Sequence, residues 1–360
     1  MGKDLNKTNY NQIDKKLPGT FWGLTTFFNV KKNSYRIEHY KAFRLHSQKQ
    51  GLKLITVECA FKDNPFELKP EDADILIQVR SNSLLWHKEK LLDIAFKNLP
   101  LECDKIVWVD CDVIFLNQDW IKETCDLLEK YEFVKPFEKA IRLSSAQTQK
   151  IIKNKLVKLE EENYNKITDC EYSYNPDLPM KYKCCFSWAL RKEILNDVGF
   201  YTKSIVGNGD LIMTKAFINY SSEIDNFNVT LNKDILAWTE KINQRINNTV
   251  SYTKGDLLHL FHGTTKNRTY YDRNYILKNN NFDPNNDLKE NIDGCWEWAT
   301  PKKNLHHALI KYFNYRNENN SILMNILIAV SPIANQLIGQ IGIIIKKIYP
   351  KLYFYLKKND

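Results

Sequence analysis

The stretch KIVWVDCDVIFL, from Lys105 to Leu116, decides the fold class of this chain. Its β-branched and aromatic residues predict a buried strand, and a helix is predicted directly after it, from about Trp120 to Lys130. Asp110 and Asp112 stand at the end of the apolar run. There the strand holds the backbone in place while the two carboxylates can reach a bound ligand.

The same alternation of strand and helix extends toward the N-terminus. The residue patterns predict strands at Phe21 to Val30, Leu52 to Phe61 and Asp74 to Arg80, and helices at about Arg36 to Gln50 and Leu84 to Leu99. Repeated βα units predict an α/β fold with a mostly parallel, doubly wound sheet. Ligands of such sheets bind beyond the carboxyl ends of the strands.

Composition limits the classes of function. The 360 residues allow one large α/β domain or two modest ones, and the hydrophobic and charged fractions are those of a globular protein. The formal charge of +9 suits a phosphate-rich ligand, a nucleic acid or an anionic membrane surface. Because the chain contains no recognised nucleic-acid-binding motif, we do not expect nucleic acid as a partner.

The cysteines and the first residues favour a cytoplasmic protein. The eight cysteines form no Cys-x-x-Cys pair, which favours reduced thiols over a structural zinc site. The polar leader, residues 1–19, begins with a charged segment that has no apolar core. We therefore expect neither a secretory signal nor an N-terminal anchor.

The Asp-x-Asp pair predicts a metal–diphosphate site. Hard oxygen ligands suit Mg²⁺ or Mn²⁺, and these ions usually bind substrate phosphates together with one or two protein carboxylates. The alternative is structural, since Asp110 or Asp112 could instead cap the turn that continues through Asn117.

A second group of candidate residues follows the apolar run DLLHLFHG, Asp256 to Gly263, which predicts a short strand that ends in His262. Together with the basic residues Lys266 and Arg273, His262 could complete a metal shell and neutralise phosphate oxygens. The alternative is a structural histidine. Because side chains alternate along a strand, His259 should point the other way and be buried.

Asp210 is the candidate general base. It follows Gly207 and Gly209 at the predicted start of the helix LIMTKAF, and glycines let a substrate approach the backbone closely. A carboxylate at this position can accept a proton from a reacting hydroxyl, or it can cap the helix. The residue pattern leaves both roles open.

The C-terminal segment predicts association with a membrane surface. Ser321 to Ile345 contains no charged residue, but Pro332 interrupts it and lysines follow it. After Pro332 the polar and apolar residues separate onto two faces of a helix, which favours an interfacial anchor over a span. The alternative is a helix that packs on its own domain.

Six runs resemble nucleotide-sugar glycosyltransferases of the GT-A fold, in the same order, between Phe21 and Trp298. They are TTFFNV, LLWHKEKLLDIAFKNLP, KIVWVDCDVIFLNQDW, FSWALRKEILNDVGFYTKSIVGNGDL, LHLFHGTTKNRTYYDRNYIL and FDPNNDLKENIDGCWEW. The resemblance implies a GT-A domain at 20–300, with a helical and loop insertion at 139–183 that holds an acceptor or forms a lid. Residues 301–360 would be the basic amphipathic segment.

The resemblance also implies roles for individual residues. Asp110 would contact the nucleotide or the metal, Asp112 would ligate the metal, and His262 would be its third ligand. Asp210 matches the base of inverting members, although this chain has Gly-Asn-Gly-Asp where many members carry two adjacent acidic residues. The residues that would bind the nucleotide-sugar are Phe28, Asn29, Glu58, Arg80, Lys88, Asp110, Lys266 and Arg273.

The predicted function is therefore that of a metal-dependent glycosyltransferase. The resemblance implies Mn²⁺ or Mg²⁺ as cofactor and a donor such as a UDP-sugar. The acceptor would be a hydroxyl of a glycan or lipid-linked molecule in polysaccharide or glycoconjugate synthesis. The protein would act in the cytoplasm, at an anionic membrane surface reached through 321–360.

Three alternatives stay open at this stage. A haloacid-dehalogenase-type phosphatase also places Asp-x-Asp after a strand, but its motif normally continues into a threonine, whereas Val113 and Ile114 follow here. A sugar nucleotidyltransferase would carry a glycine-rich phosphate loop after its first strand, where this chain has FFNVKKNSYR. A non-catalytic membrane or polyanion adaptor accounts for the charge and the tail, but not for Asp110, Asp112 and His262 at strand ends.

Overall fold

The computed structural model describes residues 14–153, 170–173, 186–218, 228–263 and 273–316. The chain divides into two compact units: Met1–Phe261 with Arg273–Leu309, and His262–Asp272 with Ile310–Asp360. Within the described ranges, no helix is long and apolar enough to cross a membrane. The predicted amphipathic segment at 321–360 and most of the insertion at 139–183 lie outside these ranges, so the predicted domain boundaries stay predictions.

A seven-stranded sheet forms the centre of the first unit. Its strand order is β10-β6-β9-β4-β1-β2-β3, and every neighbouring pair is parallel except the two that involve β9. The predicted fold class, an α/β fold with a mostly parallel central sheet flanked by helices, is confirmed. The strands are β1 Thr20–Phe27, β2 Lys53–Phe61, β3 Ile75–Ser81, β4 Cys103–Val109, β6 Phe133–Lys135, β9 Ser187–Arg191 and β10 Val250–Tyr252.

Burial on both faces explains the continuous apolar sequence of β4. Ile106 and Trp108 belong to one hydrophobic cluster, whereas Val107 and Val109 belong to another. Successive side chains of a strand point to opposite faces, so both faces of β4 are covered by other elements. Such a strand cannot alternate apolar and polar residues, and this is why the sequence identifies it so clearly.

Helices pack on the sheet in the order that the sequence predicts. The helix predicted from Leu84 begins four residues later, at Lys88, and it packs against β1 and β2. The described helices are α1 Ser34–Lys49, α2 Lys88–Lys97, α3 Trp120–Leu128, α4 Ser145–Lys153, α5 Gly209–Phe217, α6 Val229–Asn243, α7 Arg273–Asn279 and α8 Lys303–Tyr315.

A second sheet corrects the interpretation of Lys105 to Leu116 as one strand. The run forms two strands: β4 lies in the central sheet, and β5, Val113–Phe115, lies in a four-stranded sheet with the order β5-β11-β7-β8. Asp110 and Asp112 therefore lie in the turn that links the two sheets. The other strands are β7 Lys139–Arg142, β8 Cys170–Ser173, β11 Asp256–His259, and the pair β12 Leu288–Glu290 and β13 Trp296–Trp298.

Other local predictions have mixed outcomes. The insertion predicted as helix and loop at 139–183 begins instead with the strand β7, and its described helix is α4. The strand predicted to end in His262 is β11, and it ends three residues earlier, at His259. The described cysteines are free thiols: Cys59, Cys103, Cys111, Cys125 and Cys295.

Candidate active site

The Asp-x-Asp turn is held by backbone hydrogen bonds at both ends. The amide of Asp110 donates to the carbonyl of Phe186, just before β9, at 2.8 Å. The carbonyl of Asp112 accepts from the amide of Leu260, just after β11, at 2.9 Å. The turn thus has fixed partners from two different sheets. This places both carboxylates at the carboxyl end of β4, where α/β sheets bind their ligands.

Lys88 forms an ion pair with Asp110 across this edge. Its Nζ lies 2.5 Å from Oδ1 of Asp110, and both side chains are largely buried. Burial opposes the charge of Lys88, but the carboxylates of Asp110, Asp210 and Glu89 raise its pKa above the ordinary value. Burial also raises the pKa of Asp110, against the opposing effect of Lys88. One ammonium group is therefore surrounded by three acidic residues.

Asp112 lies beside His259, a residue that the sequence analysis assigned only to the core. His259 is buried, as expected, but its Nε2 lies 3.7 Å from Oδ2 of Asp112. Antiparallel pairing of β11 with β5 sets His259 opposite Val113, the residue after Asp112. The two side chains offer ligand atoms within 4.8 Å of each other. The His-x-x-His spacing of 259 and 262 was the available sequence signal.

A second buried histidine faces the same carboxylate. His39 of α1 is buried, and burial lowers its pKa to about 4 despite the opposing effect of Asp112. His259 is a further neighbour that lowers this pKa. Sequence reasoning missed His39 because nothing in the local pattern of α1 distinguishes it from a core residue.

The assignments of His262 and Lys266 stay predictions. His262 belongs to the second compact unit, so its place beside Asp112 stays a prediction from its position in the chain. Lys266 lies outside the described residues.

Each of the three residues before Asp210 in the Gly-Asn-Gly-Asp segment has a conformation or a contact that explains its residue type. Gly207 has a φ of +95°, and a Cβ added there would lie 2.6 Å from Nη1 of Arg273. Asn208 has a φ of 75° and donates from Nδ2 to Oδ1 of Asn274 at 2.7 Å. At Gly209 an added Cβ would collide with the carboxyl group of Glu89. The side chains of Arg273 and Glu89, which come from distant segments, thus occupy the space that the two glycines leave.

Asp210 is the second residue of α5 and is partly exposed. The N-cap position belongs to Asn208, so Asp210 is not the N-cap residue that the alternative interpretation required. Its Oδ1 accepts the backbone N–H of Leu211 at 2.9 Å, which satisfies one donor of the first turn. The Asp210 carboxylate is also within electrostatic range of Lys88 and Glu89.

Glu89 is a buried carboxyl group next to Lys88. Burial raises its pKa from 4.5 to about 8, Lys88 and Arg273 oppose this shift, and Asp210 adds to it. Burial thus favours the protonated form of Glu89. The sequence analysis did not identify it, since a glutamate in the first turn of an amphipathic helix is common for helix stability alone.

Glu58 and Asn29, predicted to line the nucleotide pocket, both contact the loop after β2. The Glu58 carboxylate accepts from the amide of Glu67 at 2.5 Å, the amide of Leu68 at 3.2 Å and Nε2 of Gln78 at 2.9 Å. Asn29 donates from Nδ2 to Oε2 of Glu67 at 3.1 Å. These bonds hold the loop against strand ends, and the contact with a nucleotide stays a prediction.

Arg80 and Phe28 also have partners within the protein. The Arg80 guanidinium donates to the carbonyl of Asn64 at 2.8 Å and lies 4.7 Å from the ring centroid of Phe66. Phe28 forms an edge-to-face contact with Trp86, with ring centroids 5.4 Å apart. The structure thus brings Lys88, Asp110, Asp112 and Asp210 together at the carboxyl end of β4. Arg80 instead binds the loop after β2 through the carbonyl of Asn64.

No protein-family model matches the chain, and no curated protein sequence matches it. Solved structures similar to the chain include glucosyl-3-phosphoglycerate synthase from Mycobacterium tuberculosis with Mn²⁺, uridine diphosphate and phosphoglyceric acid. That match has 10% identity and a TM-score of 0.36, and it covers 67% of this chain and 71% of the synthase.

Two further similar structures contain sugar ligands. S. aureus TarS 1–349 in complex with UDP-GlcNAc has 12% identity and a TM-score of 0.37, with 91% of this chain and 80% of TarS covered. The catalytic domain of Drosophila β1,4-galactosyltransferase 7 in complex with xylobiose has 10% identity and a TM-score of 0.30, with 65% and 64% covered.

Proposed function

We propose that this protein is a metal-dependent glycosyltransferase that moves a sugar from a nucleoside-diphosphate sugar to an acceptor hydroxyl. The observation that carries the proposal is the charged cluster at the carboxyl end of β4. Lys88 is paired with Asp110, Asp210 lies within electrostatic range of both, and Asp112 lies beside His259. The cluster combines the groups needed to bind a diphosphate and to accept a proton.

The donor set fits a divalent cation. Asp110 and Asp112 offer hard oxygen atoms, and His259 offers an imidazole nitrogen close to Asp112. Carboxylate ligands suit Mg²⁺ and Mn²⁺, and the imidazole favours a transition metal, so Mn²⁺ is the better candidate. His262 is proposed as a further ligand because it follows His259 by three residues. When bound, the ion supplies positive charge that stabilises the departing diphosphate.

The basic residues of the site complete this electrostatic role. Departure of the sugar leaves negative charge on the nucleoside diphosphate, and fixed positive charges stabilise it. Lys88 is held at the cluster by Asp110, and Arg273 lies over Gly207 at the start of α5. We assign both residues to the diphosphate, together with Lys266.

Asp210 is assigned as the general base. Its backbone position is fixed by the first turn of α5, and a carboxylate at a helix start can take the proton from an attacking hydroxyl. The acceptor is proposed to be a glycan or a lipid-linked molecule. The amphipathic sequence at 321–360 supports an acceptor presented at an anionic membrane surface.

The test is a screen of nucleotide sugars for hydrolysis or transfer, with and without Mn²⁺. We expect turnover with one or more UDP-sugars that stops in chelator, and uridine diphosphate binding that depends on the metal. Turnover of nucleoside triphosphate with sugar phosphate would instead indicate a nucleotidyltransferase. Release of inorganic phosphate from sugar phosphates, with no nucleotide binding, would indicate a phosphatase.

A further inference from the structure

Glu89 and Gly209 meet at the start of α5, although 120 residues separate them in the chain. A Cβ built on Gly209 would collide with Cγ, Cδ and Oε1 of Glu89. Gly209 is not among the glycines with positive φ, so its backbone conformation would accept an alanine. The need for glycine at 209 therefore comes from the Glu89 carboxyl group and not from the backbone.

The first turn of α2 reaches both halves of the candidate site. Its first residue, Lys88, binds Asp110, and its second residue, Glu89, occupies the space over Gly209, one residue before Asp210. Glu89 is also within electrostatic range of Lys88, Asp210 and Arg273. Glu89 therefore packs between the turn that carries Lys88 and the turn that carries Asp210.

One helical turn further along α2, Asp93 has the same kind of contact without any candidate catalytic residue. An added Cβ on Gly199 would collide with Oδ1 of Asp93, and this same oxygen accepts the amide of Phe200 at 3.2 Å. Asp93 thus provides a matched control, because its carboxyl group packs on a glycine that precedes Phe200 and not a candidate catalytic residue.

We propose that Glu89 is the positioning residue of Asp210: it fills the space over Gly209 and so fixes the first turn of α5 beside Lys88. This inference rests on the proposed function, since it assigns Asp210 as the base. Glu89 does not touch the substrate in this role. Its carboxyl group sets the distance between the base and the ion pair that faces the diphosphate, and small displacements of such groups cost on the order of 10²-fold in rate.

The kinetic test is a double-mutant cycle with Asp210. We expect Glu89→Ala to lower kcat on the order of 10²-fold with an unchanged KM for the nucleotide sugar, because the empty space lets α5 shift. Glu89→Gln keeps the shape and should keep most of kcat. In the Asp210→Asn background, Glu89→Ala should have no further effect. Full additivity with Asp210→Asn, or equal losses in the Gln and Ala variants, would overturn the proposal.

A second cycle measures thermal stability and needs no activity. Gly209→Ala should lower the melting temperature in the wild type and have a smaller effect in the Glu89→Ala background, where the new methyl group has room. Additive effects would overturn the contact itself. Asp93→Ala should lower stability while kcat stays at the wild-type value. If no nucleotide sugar is turned over, the proposed function fails, and this second cycle still decides whether Glu89 holds Gly209.

Discussion

At the scale of single residues, Asp112 is the most direct test of the metal site. Its Oδ2 lies 3.7 Å from Nε2 of His259, and the turn that carries it is fixed through its carbonyl. We expect Asp112→Asn to remove the metal dependence of uridine diphosphate binding while the fold persists, because an amide is a much weaker ligand for a hard cation than a carboxylate. Calorimetry with and without Mn²⁺ measures this.

The control for that prediction is Asp126→Asn, since Asp126 is an exposed aspartate of α3 that pairs with Lys122. This variant should bind the nucleotide in the same metal-dependent way as the wild type. If Asp112→Asn unfolds under the same conditions, Asp112 has a structural role in the turn and the metal assignment is wrong.

Asp210 allows its two roles to be separated by kinetics. If Asp210 is the general base, the Asp210→Asn variant should lose turnover on the order of 10²-fold or more, with nucleotide affinity nearly unchanged. If Asp210 only satisfies the N–H of Leu211, the same variant should lose about 1 kcal/mol of stability and keep normal turnover. Steady-state kinetics and chemical denaturation of the same variant distinguish these outcomes.

Glu89 predicts a pH dependence of stability. Its pKa rises from 4.5 to about 8 on folding, so the folded state keeps a proton that the unfolded state loses. The free energy of unfolding should therefore decrease as the pH rises from about 4.5 to about 8, and this contribution is lost above that range. Glu89→Gln should flatten the decrease in chemical denaturation across the same pH range. An unchanged slope would contradict the buried, protonated state.

At the scale of elements, Glu58 connects β2 to the loop that follows it. Its carboxylate accepts hydrogen bonds from the amides of Glu67 and Leu68 and from Gln78. In Glu58→Gln the new amide group cannot accept all three, so we expect a loss of about 1–3 kcal/mol in the free energy of unfolding. Glu71→Gln, at an exposed position nearby, should leave stability unchanged in the same denaturation experiment.

The elements also explain why the candidate site has its composition. Two helices and two sheets meet there: α2 carries Lys88, α5 carries Asp210, and the turn between β4 and β5 carries the two aspartates. Each element has a fixed backbone and contributes its first or last residues. The charges are thus brought together by rigid elements, which is what electrostatic stabilisation of a leaving group requires.

At the scale of the whole molecule, the C-terminal segment predicts binding to anionic membranes. Its apolar residues can enter the boundary of the acyl chains while its lysines meet anionic headgroups, each worth about 1 kcal/mol near such a surface. Deletion of Ser321 to Asp360 should release the protein from anionic liposomes, with activity on a soluble acceptor analogue retained. Higher salt should weaken binding of the full chain.

Liposomes of neutral lipid provide the control for this prediction, and binding to them should be much weaker. Unfolding of the truncated protein, or failure of the full chain to bind anionic liposomes, would place the segment in the protein core. Either result would refute the membrane assignment while leaving the candidate site untouched.

Local sequence was sufficient for the class of fold. Strand and helix periods of two and 3.6 residues are properties of neighbouring residues, and apolar runs such as β4 record burial on both faces. The position of Asp110 and Asp112 after such a run was predictable for the same reason. The place of Asp210 in the first turn of a helix was also predictable, because glycines precede the apolar run LIMTKAF.

Only the tertiary structure decided which distant residues meet. The division of Lys105 to Leu116 between two sheets depends on pairing with β11, and this pairing also brings His259 to Asp112. The sequence suggests that Gly209 lets a substrate approach the backbone, but the side chain of Glu89 fills the space beside this glycine. Such contacts join residues that are far apart in the chain, and no local period records them, because their energy arises only when the sheets and helices pack.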